Sequence, residues 1–330
     1  MSCPVLVDPL GRTIDYLRLS ITDRCNLRCR YCMPPGDVEW VQHDQVLRFE
    51  ETLRLCRVLA GMGIGAVRVT GGEPLMHQGV VDFIRELKRI EGVRWVSMTS
   101  NGVLLGAYLS ALVAAGLDAV NISLNTLNDE IFQWLTMSGS LVNVISAIDQ
   151  ASEQGLSVKV NCVPMRGINE DDIATLAALA KNKVVEVRFI ELMPLGVAAA
   201  MQPIPADEVI SLIERAHGPM QPSTAKLGNG PAVYYTLPGF AGHVGLISAV
   251  SRRFCHSCNR LRLTAPGMLK PCLASDLGLD LAGMVRGGAG DDEIADAIRE
   301  LVAVKPEGHG FGLAEKKHEH DNTAMYRIGG

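Results

Sequence analysis

Cys25, Cys29 and Cys32 fall in the run Cys-Asn-Leu-Arg-Cys-Arg-Tyr-Cys, three thiols spaced C-x3-C-x2-C. A thiolate is a soft ligand, and soft ligands select iron–sulfur clusters, zinc or cuprous copper. Protein [4Fe–4S] clusters usually take four cysteines. Three on a short loop leave one iron open to a substrate or a second cofactor. Zinc would want a fourth Cys or His close by, and the nearest histidine, His43, lies beyond Pro34, Pro35 and Gly36. A second set, Cys255, Cys258 and Cys272, is spaced C-x2-C-x13-C and is again three thiols. A second [4Fe–4S] cluster with an open iron is the preferred reading; His256 or His309 could instead complete a zinc site. Between these cysteines, Asn259-Arg260-Leu261-Arg262-Leu263 alternates, which puts Arg260 and Arg262 on one face of an extended segment. Two cations beside a metal centre serve folding badly and phosphate binding well.

Composition bounds what such centres can serve. The 330 residues are 48% hydrophobic with few aromatics, which suits an α/β core of one large domain or two. No apolar run reaches membrane-span length, and Met1 to Asp15 lacks a signal-peptide layout, so a cytoplasmic protein is expected. Nine cysteines in a reducing compartment are not a disulfide framework. Cys3, Cys56 and Cys162 are scattered and read as ordinary small residues. A net charge of −5 argues against nonspecific binding to nucleic acid or membranes, so anions must be met by a few placed cations.

The elements that must position these groups alternate. Strands are expected at 15–22, 66–70, 94–99, 118–124, 157–163 and 184–192. Helices are expected at 49–62, 80–90, 104–115, 141–154 and 171–181, with one more at 203–217. Strands alternating with helices argue for a parallel sheet. Six units fall short of the eight that close a barrel, so the expected fold is α/β, a partial (βα)6 TIM-like barrel. A C-terminal extension would cover its open side. The Pro/Gly-rich stretch 219–230 sets the division, with 1–218 as the barrel and 219–330 as the segment carrying the second cysteine set. The glycines of Gly71-Gly72-Glu73-Pro74, at the end of the second strand, permit close backbone approach. Arg18 and Arg68 alternate with apolar neighbours and so point into the barrel, where a bare lumen would not want cations. The stretch 195–201 yields no reading.

The first cysteine set, with aromatic Tyr31 directly before its last Cys, resembles the radical S-adenosylmethionine superfamily. That resemblance implies that the amino and carboxylate groups of S-adenosylmethionine chelate the fourth iron. It implies cofactor contacts from Tyr31, from Gly72 in the Gly-Gly-Glu-Pro loop, from Ser123 and from Met193. Both three-cysteine sets, the Asn-Arg-Leu-Arg-Leu segment, the run Arg188-Phe-Ile-Glu-Leu-Met and the terminal Gly329-Gly330 resemble one subfamily, the GTP 3′,8-cyclases of molybdenum cofactor biosynthesis. The likeness runs from Arg12 to Gly330. It implies two [4Fe–4S] clusters, GTP as substrate, and GTP contacts from Arg18, Arg68, Thr99, Lys159, Arg260 and Arg262. It also implies a homodimer, a flavodoxin-like electron donor, a downstream cyclic pyranopterin monophosphate synthase, and a tail that enters the active-site cavity. The competing readings are a radical peptide modifier and a non-catalytic electron carrier with fully ligated clusters.

Overall fold

The computed structural model describes residues 5–311 and 325–329; Cys3 and Gly330 lie outside the described residues. Six strands form the expected parallel run: β1 (Tyr16–Ser20), β2 (Ala66–Thr70), β3 (Trp95–Ser100), β4 (Ala119–Ser123), β5 (Ser157–Cys162) and β6 (Glu186–Ile190). Six more follow: β7 (Gln221–Pro222), β8 (Val233–Thr236), β9 (His243–Ile247), β10 (Arg260–Leu263), β11 (Met268–Lys270) and β12 (Leu279–Asp280). They join one sheet in the order β12-β11-β10-β1-β2-β3-β4-β5-β6-β9-β8-β7. β10 pairs parallel with β1, and β9 pairs parallel with β6. The C-terminal segment therefore extends the parallel run at both edges. The open flank between β9 and β10 is spanned by the chain that joins them.

Period-two alternation gives the sheet two unlike faces. Leu17, Leu19, Val67, Val69, Val96, Met98, Val120, Ile122, Val158, Val160, Val187 and Phe189 point outward and are buried. The helices cover this face. Phe49–Gly61, for example, buries Leu55, Cys56, Leu59 and Ala60 from one stripe. Burying an aliphatic side chain of this size contributes about 1.5–3 kcal/mol, so this layer holds the fold. The inward face carries polar side chains, which contribute little to that core.

Two expectations about helices change. The segment 171–181 is not one helix: a turn at Glu170–Asp172 leads into Ile173–Ala177 and then Leu179–Asn182. At Ala178 ψ is −14°, and the Lys181 amide reaches back only three residues, to the Ala178 carbonyl. The helix Asp129–Thr136 was not expected. Asn128 caps it by accepting from the Glu130 and Ile131 amides, and Met137 ends it at φ 61°. Eight residues give too few turns for periodicity to declare itself.

Candidate active site

The first cysteine set hangs from the C-terminal end of β1 and leans on the glycine loop after β2. The Gly72 amide donates to the Thr22 carbonyl, and the Glu73 amide to the Arg24 carbonyl, both at 2.8 Å. A Cβ on Gly71 would stand 2.5 Å from the Thr22 carbonyl oxygen, and one on Gly72 would stand 2.5 Å from that of Asp23. The glycine pair is there because the cysteine loop lies on it. From the other side, the Arg28 and Arg30 amides donate to Thr136 and Leu135 at the end of the unexpected helix. Tyr31 packs on Leu135, Met165, Leu192 and Ala198, which gives the bland 195–201 stretch its role as a wall behind the loop.

The donor chemistry fits a cluster here. Burial pushes the Cys25 thiol up to about 11 and the Cys32 thiol up to about 12. Burial also raises Cys29, and the neighbouring Cys32 and Cys25 add to that. Three mutually repelling half-buried thiolates need positive charge among them, which a cluster's irons would supply. Among the described residues, no three Cys, His, Asp or Glu side chains gather as the ligands of a single metal ion. A [4Fe–4S] cluster would take the three thiolates on three different irons, which asks for wider spacing than a lone zinc.

The second set lies away from the loop-bearing face. Cys258 precedes β10, which runs parallel to β1, so this set sits at the N-terminal ends of the strands, on the open flank. At Cys258 the environment is the reverse of the first set's. Burial raises the Cys258 thiol, but Arg260 and then Lys305 outweigh it and hold the thiol below its usual value. His309, a possible zinc ligand, is instead 2.6 Å from the Ala249 carbonyl.

Between the two sets runs the inward face. The strand register brings Arg262, Arg18 and Arg68 into one row, and Asn121, Lys159 and Glu186 into another. The side chains facing the lumen from the parallel strands include Arg18, Arg68, Lys159, Arg188, Arg260 and Arg262, against one carboxylate, Glu186. Desolvation lowers the pKa of Arg18, Arg68 and Lys159 and brings Arg262 to about 10, with Arg260 repelling it further. Lys159 stands 3.4 Å from Glu186. Arg260 lies over the Phe254 ring and Arg68 over that of Tyr16. The buried hydroxyls of Tyr16 and Thr99 have no hydrogen-bond partner among the described residues. Two buried and four half-buried cations, with unpartnered hydroxyls beside them, are costly in an empty chamber and suit a polyanionic, hydrogen-bonding ligand. Ser123 ends β4 on this face beside Asn161. Met193 packs with Leu195, Ala274 and Phe311, where barrel meets C-terminal cover.

The C-terminal helix Met325–Ile328 enters the same space. Tyr326 packs on Met33, Val38, Cys25 and Cys32, and Met325 packs in the group that contains Cys272.

Comparison with known proteins agrees with this geometry. The radical SAM superfamily profile matches residues 19–180, and the Molybdenum Cofactor Synthesis C profile matches residues 185–311. A GTP 3′,8-cyclase of Moorella thermoacetica is 46% identical over 326 residues, covering 98% of this chain and 99% of the relative. That of Thermodesulfovibrio yellowstonii is 44% identical over 327 residues, with 98% and 99% covered. The chain belongs to the GTP 3′,8-cyclase family. Among solved structures, Streptococcus suis SuiB bound to S-adenosylmethionine superposes with a TM-score of 0.60, at 13% identity, over 87% of this chain and 68% of that one. That likeness speaks to the shared fold.

Sequence reading missed several groups in this cyclase-family lumen. Arg188 is 3% exposed and donates to the Asn121 amide oxygen at 2.6 Å and to that of Asn161 at 2.6 and 2.9 Å. Alternation along Glu-Val-Arg-Phe-Ile would have put Arg188 beside Glu186, facing inward. Asn121 and Asn161 carried no comparable signal. Nor did Gly245, where a Cβ would stand 3.0 Å from the Arg188 Cγ.

Proposed function

We infer that this chain is a radical S-adenosylmethionine enzyme that cyclises GTP to 3′,8-cyclo-7,8-dihydroguanosine 5′-triphosphate, the first step of molybdenum cofactor biosynthesis. The observation that carries the reading is a cation-lined lumen between two three-cysteine sets in a cyclase-family chain. Cys25, Cys29 and Cys32 would hold one [4Fe–4S] cluster with S-adenosylmethionine, and Cys255, Cys258 and Cys272 would hold the other. The chemistry such a loaded site supplies is hydrogen-atom abstraction from the ribose 3′ position by a 5′-deoxyadenosyl radical.

The chain's own part is binding, orientation and exclusion of water. The triphosphate carries about four negative charges near neutral pH. Arg18, Arg68, Lys159, Arg188, Arg260 and Arg262 neutralise it, and Thr99 offers a hydroxyl. Guanine would lie toward the end of the lumen that Cys255, Cys258 and Cys272 border, which would leave the ribose toward the end bordered by Cys25, Cys29 and Cys32. Tyr31, Gly72, Ser123 and Met193 line that side. Fixed geometry replaces collision, and a filled lumen excludes water. A five-residue strand spans about 17 Å, which suits a nucleotide held between the two ends of the barrel.

The division at 218/219 separates the cofactor half from the second-cluster segment. A cytoplasmic homodimer, reduced by a flavodoxin and passing its product to a cyclic pyranopterin monophosphate synthase, completes the reading. Anaerobic turnover with GTP and S-adenosylmethionine should yield deoxyadenosine together with a cyclised nucleotide. Cys258→Ala should abolish the nucleotide product; an unchanged yield would remove the second cluster from the mechanism.

A further inference from the structure

Two buried cations brace the second cysteine set, and they are paired differently. Arg12, 6% exposed, is paired with Asp8 and donates to the carbonyls of Cys255 at 2.8 Å, Pro306 at 2.9 Å and Glu307 at 3.1 Å. Lys305 is also 6% exposed and lies just past the helix Asp291–Ala303. Its ammonium donates to the Arg260 carbonyl at 2.9 Å and to the Pro271 carbonyl. Arg260 is two residues from Cys258, and Pro271 adjoins Cys272. Among the described residues no carboxylate balances the ammonium; the groups that favour its charge are Cys258 and Cys272. A buried cation without an anion is costly. A cluster bound by three thiolates supplies that anion, and becomes more negative by one unit on reduction.

We propose that Lys305 is a positioning and charge-balancing residue of the second cluster. It clamps the two strand-end carbonyls that set the spacing of Cys258 and Cys272, and it favours the cluster's reduced state. This rests on reading Cys255, Cys258 and Cys272 as cluster ligands. Arg12 does the first of these jobs at Cys255, but its charge is spent on Asp8. A cation beside a cluster raises its potential.

The test uses the full chain with Cys25, Cys29 and Cys32 replaced by Ala, so that a single cluster is read. Lys305→Met and Lys305→Arg are built in that background and reconstituted anaerobically with iron and sulfide. Iron is counted, and the reduced fraction is followed by electron paramagnetic resonance during a redox titration. At the parent's midpoint, Lys305→Met should lower the reduced-to-oxidised ratio about tenfold, one 59 mV step for a single electron. Lys305→Arg should restore it. A cluster retained by Arg and lost by Met also supports the role. An unchanged ratio in Lys305→Met, equal shifts in both variants, or loss of the cluster from both overturns it. A parent that takes up no iron would instead defeat the reading of the second set, a distinguishable result.

Discussion

Arg262 donates from Nη1 to the Gly329 carbonyl at 2.8 Å, tying the end of the described chain to the cationic row that lines the lumen. Gly329 has φ 83°, and a Cβ there would stand 2.9 Å from Ser20 Cβ and 3.0 Å from Thr70 Cγ2. Gly329→Ala should therefore lift the tail out of the chamber, because a left-handed alanine costs about 1–2 kcal/mol before any clash. Deoxyadenosine and cyclised nucleotide should both fall by about tenfold or more, while thermal unfolding stays where it was. A variant with full turnover would show that the tail only caps the chamber.

Gly72→Ala tests the seat of the first cysteine set. The new methyl would press on the Asp23 and Arg24 carbonyls, and overpacking of this kind costs about 1–3 kcal/mol. The barrel should still fold, as judged by circular dichroism. Iron retained at the first set, measured in a variant lacking Cys258, should drop by more than half.

Arg188→Met should raise the KM for GTP by about tenfold or more, because a charge-assisted contact to phosphate is lost and two buried amide oxygens lose their donor. The melting temperature should also fall by a few degrees. A lower melting temperature with an unchanged KM would make Arg188 a purely structural brace between Asn121 and Asn161.

Glu73 predicts a pH dependence. It is fully buried, and desolvation raises its pKa to about 7 against the Asn101 and Leu75 amides and the Ser100 hydroxyl, which all favour its charge. The folded state therefore holds its proton more tightly than the unfolded state. Its contribution is fully present below the unfolded pKa near 4.5 and is lost as pH rises through about 7. Urea unfolding of the metal-free chain should show this loss, about 3 kcal/mol in all. In Glu73→Gln that slope should vanish. An identical slope in the variant would place the titration elsewhere.

The parallel strands were legible because their outward faces are runs of Val, Ile and Leu bounded by Gly and Asn, and the thiols because three within eight residues have few other uses. Arg18, Arg68, Arg260 and Arg262 were legible because a cation alternating with aliphatic residues has a single direction to point. Asn121 and Asn161 were not, because a neutral amide in a strand looks the same whether it braces an arginine or faces water. Lys305 was invisible for another reason. Its partners are main-chain carbonyls more than thirty residues away, and a carbonyl leaves no trace in residue type. The placement of the second cysteine set at the far ends of the strands needed the pairing of β10 with β1, a contact between Tyr16 and Arg260 that no local pattern announces.

That same pairing has a consequence for how the chain is made. On the ribosome, β1 waits for nearly three-quarters of the sequence before its outer neighbour is synthesised. Until then it presents a naked edge of the kind that invites association between nascent chains. Late closure of this sort slows folding. It also means that a product truncated before residue 260 loses a cofactor pocket and the seam that seals the sheet in the same stroke.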